Sequence, residues 1–471
     1  YQLYTNFNRF GNFKTKINNI ALMKNSNLPV AIIGLGKTGV SVAKYLKINN
    51  KNFIAYDTRE NLKITDEIKK YVDSQRIVLG KLEKSFIDKH DYFIVSPGVK
   101  IEKQFLKKII ENKKNIQTDI DIFNESCNGK TICITGSNGK TTVTAILEYV
   151  LRKMGKKVKA GGNIGLPALE LTYENYEYNI LELSSFQLEM TKKINCITSL
   201  ITNITEDHLD RHETLENYIN IKHKIFNNAE NIIINRNDKN IRKEKVIYKY
   251  TFGSDEPKNN NSFGIRIKNK KKYIYHGNKK ILEEDEIQLI GLHNLVNICS
   301  CLSIIQSIGE DVNDALQYIR KFECIDHRME KFLYKDDIKW INDSKATNIE
   351  STISALNSLD ENIILILGGK SKTNNYKKLN EIIGKKVSAL ILFGECKDLL
   401  NREITSISNI FLADNINAAS EKARLYAKKI IEKESMPVCI LLSPACASYD
   451  MFESFEERGI LFKKFVMENY S

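Results

Sequence analysis

The chain has 471 residues, of which 42% are hydrophobic and 27% are charged. At roughly 150 residues per domain, this length predicts about three domains and excludes a small disulfide-stapled fold. The net charge of +13 comes from 71 Lys and Arg residues against 58 Asp and Glu residues, spread along the whole chain. We interpret this excess as a general surface property, expect no nucleic-acid partner, and leave an anionic small substrate open.

Nine cysteines are scattered without a Cys-x-x-Cys pair, which argues against a disulfide framework or a zinc site and favours a reducing, cytoplasmic location. No apolar stretch approaches the roughly 18 residues of a membrane span, so we expect no membrane insertion. We also expect a monomer. Residues 1–28 are basic and faintly resemble a transit peptide, but we prefer a tail or a start-site extension, because Met23 lies shortly before the first strong strand.

The first structured segment alternates strand, glycine-rich turn and helix. A strand is predicted at Val30–Ile33, a turn at Gly34–Gly39, a helix to about Ile48, and a second strand at Phe53–Asp57. This order is typical of a Rossmann-like α/β domain, which we place at residues 29–117.

The glycine pattern Gly34-x-Gly36-x-x-Gly39, followed by Asp57, predicts a site for a diphosphate-bearing nucleotide. Such glycines let the backbone approach a diphosphate at a helix N-terminus, and the acid accepts hydrogen bonds from ribose hydroxyls. The pattern fits NAD and a UDP-sugar equally well. A purely structural tight turn is the alternative.

A later strand, predicted at Thr131–Thr135, leads into the loop Gly136–Thr142 and then into a helix. This is a shortened phosphate-binding loop and predicts ATP as a ligand, because backbone N–H groups would cradle the phosphates. Lys140 would neutralise their charge, and the Thr141 hydroxyl could bind Mg²⁺. We place this P-loop-type ATPase domain at residues 118–325.

Two polar groups follow later strands of the same segment. Glu182 ends the predicted strand Tyr178–Glu182, and His208 follows the strand Ser199–Thr202. Ligand-binding residues of open α/β sheets gather at such strand ends, so both side chains are candidate metal ligands; a solvated carboxylate and a core histidine are the alternatives. The strand pattern then restarts, which predicts a third, Rossmann-like α/β domain at residues 326–471.

These motifs, together with 162–165, 205–210 and 291–297, follow the order found in the Mur ligase family. The chain resembles that family over about residues 29–465. Its members are ATP-dependent amide-forming enzymes of peptidoglycan precursor synthesis. Two further stretches, 340–348 and 442–459, resemble the members that add D-glutamate to UDP-N-acetylmuramoyl-L-alanine.

The resemblance implies the chemistry: ATP phosphorylates the substrate carboxylate, and the amine of D-glutamate attacks the acyl phosphate. It implies two Mg²⁺ ions and a carbamylated Lys222, although the residues alone predict Lys222 on a solvated helix face. Lys140, Glu182, His208 and Lys222 are then the catalytic residues. The implied metal ligands are Thr141, Glu182, His208 and the carbamate of Lys222.

The resemblance also implies which residues contact each substrate. The ATP-side residues are Gly136, Ser137, Asn138, Gly139, Lys140, Thr141, Thr142, Asn294, Asn297 and Arg328. The residues for the UDP-substrate are Gly34, Leu35, Gly36, Lys37, Thr38, Gly39, Asp57, Thr58, Ser96, Pro97, Gly98, Asn163 and Ser184. The D-glutamate residues are Lys345, Thr347, Lys372, Ser448 and Phe455, with Lys370 as an alternative to Lys372.

Other functions remain open at this point. Within the family these are ligases for another amino acid and folylpolyglutamate synthase. A nicotinamide oxidoreductase would use Gly34–Gly39 for its cofactor, with the second loop as a phosphate clamp. A non-catalytic nucleotide-binding regulator would need neither Lys140, Glu182 nor His208 for turnover.

Overall fold

The computed structural model of the chain describes residues 28–81, 84–99, 108–241, 247–269, 271–289, 291–323, 326–359, 362–371 and 375–471. Within them, short apolar runs form three separate β-sheets, and amphipathic segments form helices that cover the sheets. The α/β class with three sheets confirms the predicted fold. The predicted tail, residues 1–28, lies outside the described residues except for Leu28.

The first sheet is parallel, with strand order β3-β2-β1-β4-β5. Its strands are β1 Val30–Ile33, β2 Phe53–Asp57, β3 Ile77–Leu79, β4 Tyr92–Val95 and β5 Asn115–Gln117, with helices α1 Lys37–Ile48 and α2 Asp66–Tyr71. From β1 the chain continues to β2 and β3 on one side of β1, and β4 and β5 then pair on its other side. The carboxyl ends of β1 and β4 therefore form a switch point, the usual ligand position in an open α/β sheet.

The second sheet has nine strands, in the order β14-β13-β12-β11-β10-β9-β6-β8-β7. Its strands are β6 Lys130–Thr135, β7 Val158–Gly162, β8 Tyr178–Glu182, β9 Cys196–Ile201, β10 Ala229–Asn235, β11 Tyr250–Phe252, β12 Ser262–Lys268, β13 Lys271–His276 and β14 Lys279–Glu283. The helices of this region are α3 Asp119–Ser126, α4 Lys140–Lys153, α5 Ser185–Met190, α6 Leu209–His212, α7 Leu215–His223, α8 Leu292–Ser307 and α9 Val312–Ile319. The strands from β7 to β12 are parallel, and β13 and β14 extend the sheet as antiparallel strands.

The third sheet has the order β15-β16-β20-β17-β18-β19, and only its edge strand β15 is antiparallel to its neighbour among the described strands. Its strands are β15 Glu330–Lys335, β16 Ile338–Asn342, β17 Asn362–Gly368, β18 Val387–Phe393, β19 Ile410–Leu412 and β20 Val438–Leu442. Its helices are α10 Ile349–Asn357, α11 Asn380–Lys386, α12 Lys397–Glu403, α13 Ile416–Glu434 and α14 Phe455–Tyr470. Short 3-10 helices lie at Ser74–Arg76, Lys84–Lys89, Ala168–Tyr173, Lys224–Phe226, Glu284–Glu286 and Tyr376–Leu379.

The first two sheets share a continuous apolar core. Val42 and Leu46 of α1 belong to the same buried cluster as Phe123 of α3, Leu169, and Leu183 after β8. Burial of such side chains stabilises the folded chain by about 25 cal/mol per Å² of apolar surface, so this shared core fixes the first sheet against the second. Each predicted domain, 29–117, 118–325 and 326–471, contains one sheet, and the boundaries themselves stay a prediction.

The stretch 255–272 is rich in Asn and Lys, a composition that predicts an exposed hairpin or loop, and the structure confirms this only in part. A hairpin of β12 and β13 is present, but Phe263 and Ile265 of β12 are only 0% and 3% exposed, because β12 also pairs with β11 inside the sheet. The asparagines and lysines on either side of β12 make its alternating apolar residues difficult to recognise in the sequence. Among the described residues, no helix is both long and apolar enough to cross a membrane.

Candidate active site

The phosphate loop connects β6 to α4 and depends on two glycines. Gly136 has φ +151° and Gly139 has φ +84°, values in the region that favours glycine. A Cβ atom at Gly136 would lie 1.9 Å from Thr202 Oγ1, and one at Gly139 would lie 2.6 Å from Asn297 Oδ1. The loop is therefore pressed against the end of β9 on one side and against α8 on the other.

Lys140, the first residue of α4, folds back over this loop. Its Nζ donates hydrogen bonds to the carbonyl oxygens of Gly136 at 2.7 Å and of Ser137 at 2.8 Å. The segment after β9 fixes the backbone of Asn138, because the Asn138 N–H donates to Asn203 Oδ1 at 2.9 Å and its carbonyl accepts from Thr202 Oγ1 at 2.6 Å. The loop thus presents a cation and a helix N-terminus together, an arrangement suited to phosphate.

Glu182 lies at the carboxyl end of β8, beside the phosphate loop, and is 1% exposed. Its Oε1 accepts a hydrogen bond of 3.0 Å from Asn163 Nδ2, and its Oε2 has no hydrogen-bond partner among the described residues. A buried carboxylate oxygen without a partner is costly. This atom is therefore available to a cation or a donor from a ligand.

His208 is the N-cap residue immediately before α6 and adopts a left-handed conformation with φ +53° and ψ +35°. Its N–H donates to Asp207 Oδ1 at 3.0 Å, and its Nε2 lies 3.6 Å from Asp207 Oδ2. The imidazole ring packs edge-on against Phe186 at 4.8 Å between centroids. Backbone strain at a non-glycine residue occurs often at functional sites, which supports a functional role for His208.

Lys222 is buried under the phosphate loop, so the sequence-based expectation of a solvated helix face was wrong. The side chain is 1% exposed, and its Nζ donates to Gly136 O at 2.8 Å and to Thr135 Oγ1 at 3.4 Å. Burial, followed by the nearby charge of Lys140, holds the pKa of Lys222 well below its ordinary value. Tyr218, one turn earlier on α7, has its ring 4.6 Å from Lys222 Nζ and its hydroxyl 3.2 Å from Ser137 Oγ.

A cavity of about 780 Å³ lies between the phosphate loop and the third sheet. It brings together residues that the sequence assigned to different ligands. Its lining includes Asn138, Gly139, Thr142, Asn294, Asn297, Arg328 and Lys345. The predicted ATP-side residues of α8 thus face Lys345 of the third sheet across one space. Asn297 Nδ2 donates to Asn294 Oδ1 at 3.2 Å, which orders the two amides.

Lys345 is a basic group that the region of the third sheet adds to this cavity. Its Nζ lies 3.6 Å from the centroid of the Phe455 ring, and burial together with Arg328 lowers its pKa to about 7. Arg328 is half-buried, and desolvation lowers its own pKa. Two half-buried basic groups of this kind favour an anionic ligand.

Arg458 holds the strand-end loops of the third sheet together. Its guanidinium donates to Ser344 Oγ at 3.0 Å and Ser344 O at 2.8 Å, and to the carbonyl oxygens of Cys446 and Ala447 at 3.2 and 3.3 Å. Lys345 follows the first loop and Ser448, 2% exposed, follows the second. Thr347 donates its N–H to Lys345 O at 2.8 Å. Lys372 lies outside the described residues, whereas Lys370 pairs with Ala447 through its backbone.

The first sheet carries a separate cavity of about 380 Å³ at its strand ends. Leu35, Gly36 and Lys37 line it together with Arg59. Asp57 accepts hydrogen bonds of 2.8 Å from the Leu35 N–H and from two nitrogens of Arg59, and Arg59 holds its pKa below the ordinary value although burial opposes this.

The remaining residues predicted for the UDP-substrate lie near this point or at the end of the second sheet. Ser96 Oγ donates to Gly34 O at 2.9 Å, which fastens the β4 loop to the glycine turn. A Cβ at Gly39 would lie 1.8 Å from Gly34 O, so the glycine at this position allows the close approach of the two segments.

The other residues predicted for the UDP-substrate follow the strand ends. Thr38 lies in the first turn of α1, Thr58 follows β2, and Pro97 and Gly98 follow Ser96. Asn163 and Ser184 belong to the second sheet, beside Glu182 and at the start of α5.

Three family models match the chain in succession. They are described as the Mur ligase MurD-like N-terminal domain, residues 29–118, the Mur ligase middle domain, residues 134–305, and the Mur ligase glutamate ligase domain, residues 327–445. A UDP-N-acetylmuramoylalanine--D-glutamate ligase of Legionella pneumophila is 33% identical over 441 residues, covering 92% of this chain and 97% of the relative. The chain belongs to the Mur ligase family.

Further relatives and solved structures agree with this membership. The UDP-N-acetylmuramoylalanine--D-glutamate ligase of Caldanaerobacter subterraneus is 34% identical over 455 residues, covering 93% of this chain and 98% of the relative. A pseudomurein peptide ligase type C from Methanothermus fervidus matches with a TM-score of 0.61 at 17% identity, covering 94% of this chain and 100% of that one. The ligase MurF from Thermotoga maritima, solved in complex with ADP, has a TM-score of 0.56 at 17% identity, covering 95% and 97%. These structures share the Mur ligase fold.

Sequence reasoning missed several residues of these sites. Arg59 pairs with Asp57, Asp343 lines the large cavity with its pKa raised to about 7 by burial, and Ser351 bonds to the phosphate loop. Arg59 carried a local signal, because it follows the predicted acidic strand end by two positions, and Asp343 lies in the stretch 340–348 that carries the resemblance. Asp343 and Ser351 reach the site through the packing of one sheet against another.

Proposed function

We propose that the protein joins D-glutamate to UDP-N-acetylmuramoyl-L-alanine in an ATP-dependent, amide-forming reaction of peptidoglycan precursor synthesis. The observation that carries this proposal is the similarity to relatives named UDP-N-acetylmuramoylalanine--D-glutamate ligase. That similarity extends over 92 to 93% of the chain at 32 to 34% identity, and so includes all three sheets. Within the cavity, the phosphate loop and Lys345 support a site where a nucleotide and an anionic amino acid meet.

The reaction has two steps, and neither needs a protein nucleophile. An oxygen of the alanyl carboxylate takes the γ-phosphoryl group of ATP, which releases ADP and leaves an acyl phosphate. The amine of D-glutamate then attacks the carbonyl carbon, and the tetrahedral intermediate expels inorganic phosphate. Catalysis of phosphoryl transfer depends mainly on position and on charge stabilisation. Lys140 supplies such a charge beside the loop carbonyls of Gly136 and Ser137.

We infer that Lys222 is carbamylated in the active protein. A neutral lysine amine adds CO₂ to give a carbamate anion and a proton, and the lowered pKa of Lys222 favours that neutral amine. The two hydrogen bonds of Nζ go to uncharged oxygens, Gly136 O and Thr135 Oγ1. The modification would replace an amine whose positive charge is opposed by burial and by Lys140 with an anion that Lys140 attracts.

The residues around Glu182 fit magnesium by their chemistry. Glu182 Oε2 is buried and has no hydrogen bond within the described part of the chain, and hard cations prefer oxygen ligands. No three His, Cys, Asp or Glu side chains of the described residues gather as a metal site, so hydroxyl and carbamate oxygens would have to complete the set. We propose Thr141, Glu182, His208 and carbamylated Lys222 as ligands of two Mg²⁺ ions. When bound, these ions would neutralise phosphate charge.

The amino-acid site belongs to the third sheet in this proposal. Lys345 and Ser448 supply a cation and a hydroxyl for the carboxylates of D-glutamate, with Thr347 and Phe455 beside Lys345. A bound carboxylate would favour the charged form of Lys345, whose pKa is about 7. The UDP part of the other substrate would lie at the first sheet, with its diphosphate at Gly34–Gly39 and its sugar near Asp57.

The test is phosphate release from MgATP in the presence of UDP-N-acetylmuramoyl-L-alanine. D-glutamate, L-glutamate, L-alanine, L-lysine and meso-diaminopimelate are compared as acceptors, and the amide product is identified by mass spectrometry. We expect turnover with D-glutamate alone. Turnover with a different amino acid would keep the ligase chemistry and contradict the assignment of Lys345 and Ser448, and phosphate release without an amide product would contradict the ligase function.

A further inference from the structure

Two cysteines of the third sheet meet where its strands end. Cys396 follows β18 and precedes α12, and Cys446 follows β20. Their Sγ atoms are 3.3 Å apart, although 50 positions separate them in the sequence. A disulfide bond is about 2.05 Å long, so a closing movement of about 1.3 Å would join the two sulfurs.

The surroundings give the two thiols different roles. Cys396 is 5% exposed and Cys446 is 0% exposed, so a small oxidant reaches Cys396 first. The hydrogen bond from Cys446 lowers the pKa of the Cys396 thiol, whereas the same contact and burial raise the pKa of Cys446. The Tyr376 hydroxyl lies 3.2 Å from Cys446 Sγ. These differences favour Cys396 as the attacking thiolate and Cys446 as the resolving thiol.

The pair is connected to the proposed amino-acid site through the segment 369–370. Cys396 N–H donates to Gly369 O at 3.0 Å, while Lys370 and Ala447 exchange backbone hydrogen bonds of 2.8 and 3.0 Å. A Cβ at Gly369 would lie 2.2 Å from Ala447 O and 3.2 Å from Cys446 Cβ. The backbone of Gly369 is therefore packed directly against Cys446 and Ala447. Movement of Cys446 must shift Ala447 and, with it, the neighbouring Ser448.

We propose that Cys396 and Cys446 are a redox-sensitive modification site: a peroxide converts them into a reversible disulfide, and this bond inactivates the enzyme by displacing Ser448. The Cys396 thiolate takes one oxygen from hydrogen peroxide to give a sulfenic acid and hydroxide. The Cys446 thiol then attacks that sulfur and releases water. Overall, two thiols and one peroxide yield one disulfide and two waters. The effect on activity rests on the proposed D-glutamate site.

The experiment treats the full-length protein with hydrogen peroxide and follows two readouts. Peptide mass spectrometry without reduction detects the Cys396–Cys446 linkage, and phosphate release with D-glutamate measures activity. A shift of about 1 Å at a substrate-positioning group can cost up to about 100-fold in rate, so we expect at least a tenfold loss of activity, expressed mainly in KM for D-glutamate. Dithiothreitol should restore both the free thiols and the activity.

Two variants provide the controls. Cys396→Ser should remain active after peroxide, whereas Cys439→Ala, which removes a buried thiol from β20 of the same sheet, should stay sensitive. Absence of the linked peptide while activity falls would overturn the proposal, and so would a linked protein that keeps its activity. If the reduced protein has no activity with any amino acid, the proposed function fails, and linkage by mass spectrometry still decides whether the disulfide forms.

Discussion

Ser351 Oγ donates a hydrogen bond of 2.8 Å to Asn138 Oδ1, and this contact joins helix α10 of the third sheet to the phosphate loop of the second. Asn348 Nδ2 donates to the same oxygen at 3.2 Å. Asn348 also caps α10, because its Oδ1 accepts from the Ser351 N–H at 2.9 Å. The N-terminus of one helix is thus fixed directly on the loop that precedes another.

This contact predicts that Ser351→Ala weakens catalysis without unfolding the protein. Loss of one such hydrogen bond costs about 0.5–1.5 kcal/mol, which corresponds to a decrease of about 2- to 12-fold in kcat/KM for ATP. Steady-state kinetics and a thermal melt of the variant check this expectation. Ser388→Ala, on β18 of the same sheet and outside the lining of this cavity, is the matched control, and an equal loss in both variants would contradict a specific role for Ser351.

Lys140→Ala should reduce the rate of phosphate release by about 10³-fold or more, because it removes the cation that lies over the phosphate loop. Initial rates with saturating substrates measure the effect, and circular dichroism checks the fold. Lys153→Ala removes an exposed lysine at the other end of α4 and should leave the rate unchanged. Near-normal turnover of Lys140→Ala would refute its role.

Lys222→Ala should be inactive, and a short carboxylic acid such as formate or acetate should restore part of its activity by replacing the missing carbamate anion. Activity as a function of added acid measures the rescue. Lys224→Ala is the control, since Lys224 lies two positions away, is half-buried and donates to Glu189 O at 2.5 Å instead of to the phosphate loop. Full activity of Lys222→Ala without any acid would exclude the carbamate.

Asp119→Asn should make stability less dependent on pH. Asp119 is 1% exposed, and burial raises its pKa from 3.8 to about 7. The folded protein therefore binds this proton more tightly than the unfolded chain does. The contribution of Asp119 to the free energy of unfolding is thus complete below pH 3.8 and is lost as the pH rises through 7. The full loss amounts to about 4 kcal/mol at most.

Thermal melts between pH 5 and pH 8 measure this dependence. We expect the Tm of Asp119→Asn to rise relative to the unmodified protein as the pH increases across that range. Asp66→Asn, which changes an exposed carboxylate in the first turn of α2, should follow the unmodified protein at every pH. Parallel curves for Asp119→Asn and the unmodified protein would show that Asp119 does not titrate in this range.

Sequence alone predicted most of the fold and the phosphate-binding parts of the site. The runs Val30–Ile33 and Tyr178–Glu182 form strands where alternating or continuous apolar residues required them, and the glycines at 136 and 139 mark a turn that only they accommodate. These features are local: a strand, a turn and the start of a helix depend on neighbours within about ten residues. The order of the motifs was sufficient to indicate the family.

Tertiary structure decided what surrounds those motifs. Lys222 looked like one exposed lysine among many, and it is buried because α7 packs its side chain against Gly136 and Thr135, more than 80 positions earlier. Ser351 reaches Asn138 across 213 positions, and Cys396 meets Cys446 across 50. No periodicity encodes such contacts, since they arise when separate sheets and strand ends pack together. Burial and proximity, which set the pKa of Lys222 and bring the two thiols into contact, therefore came from the folded chain alone.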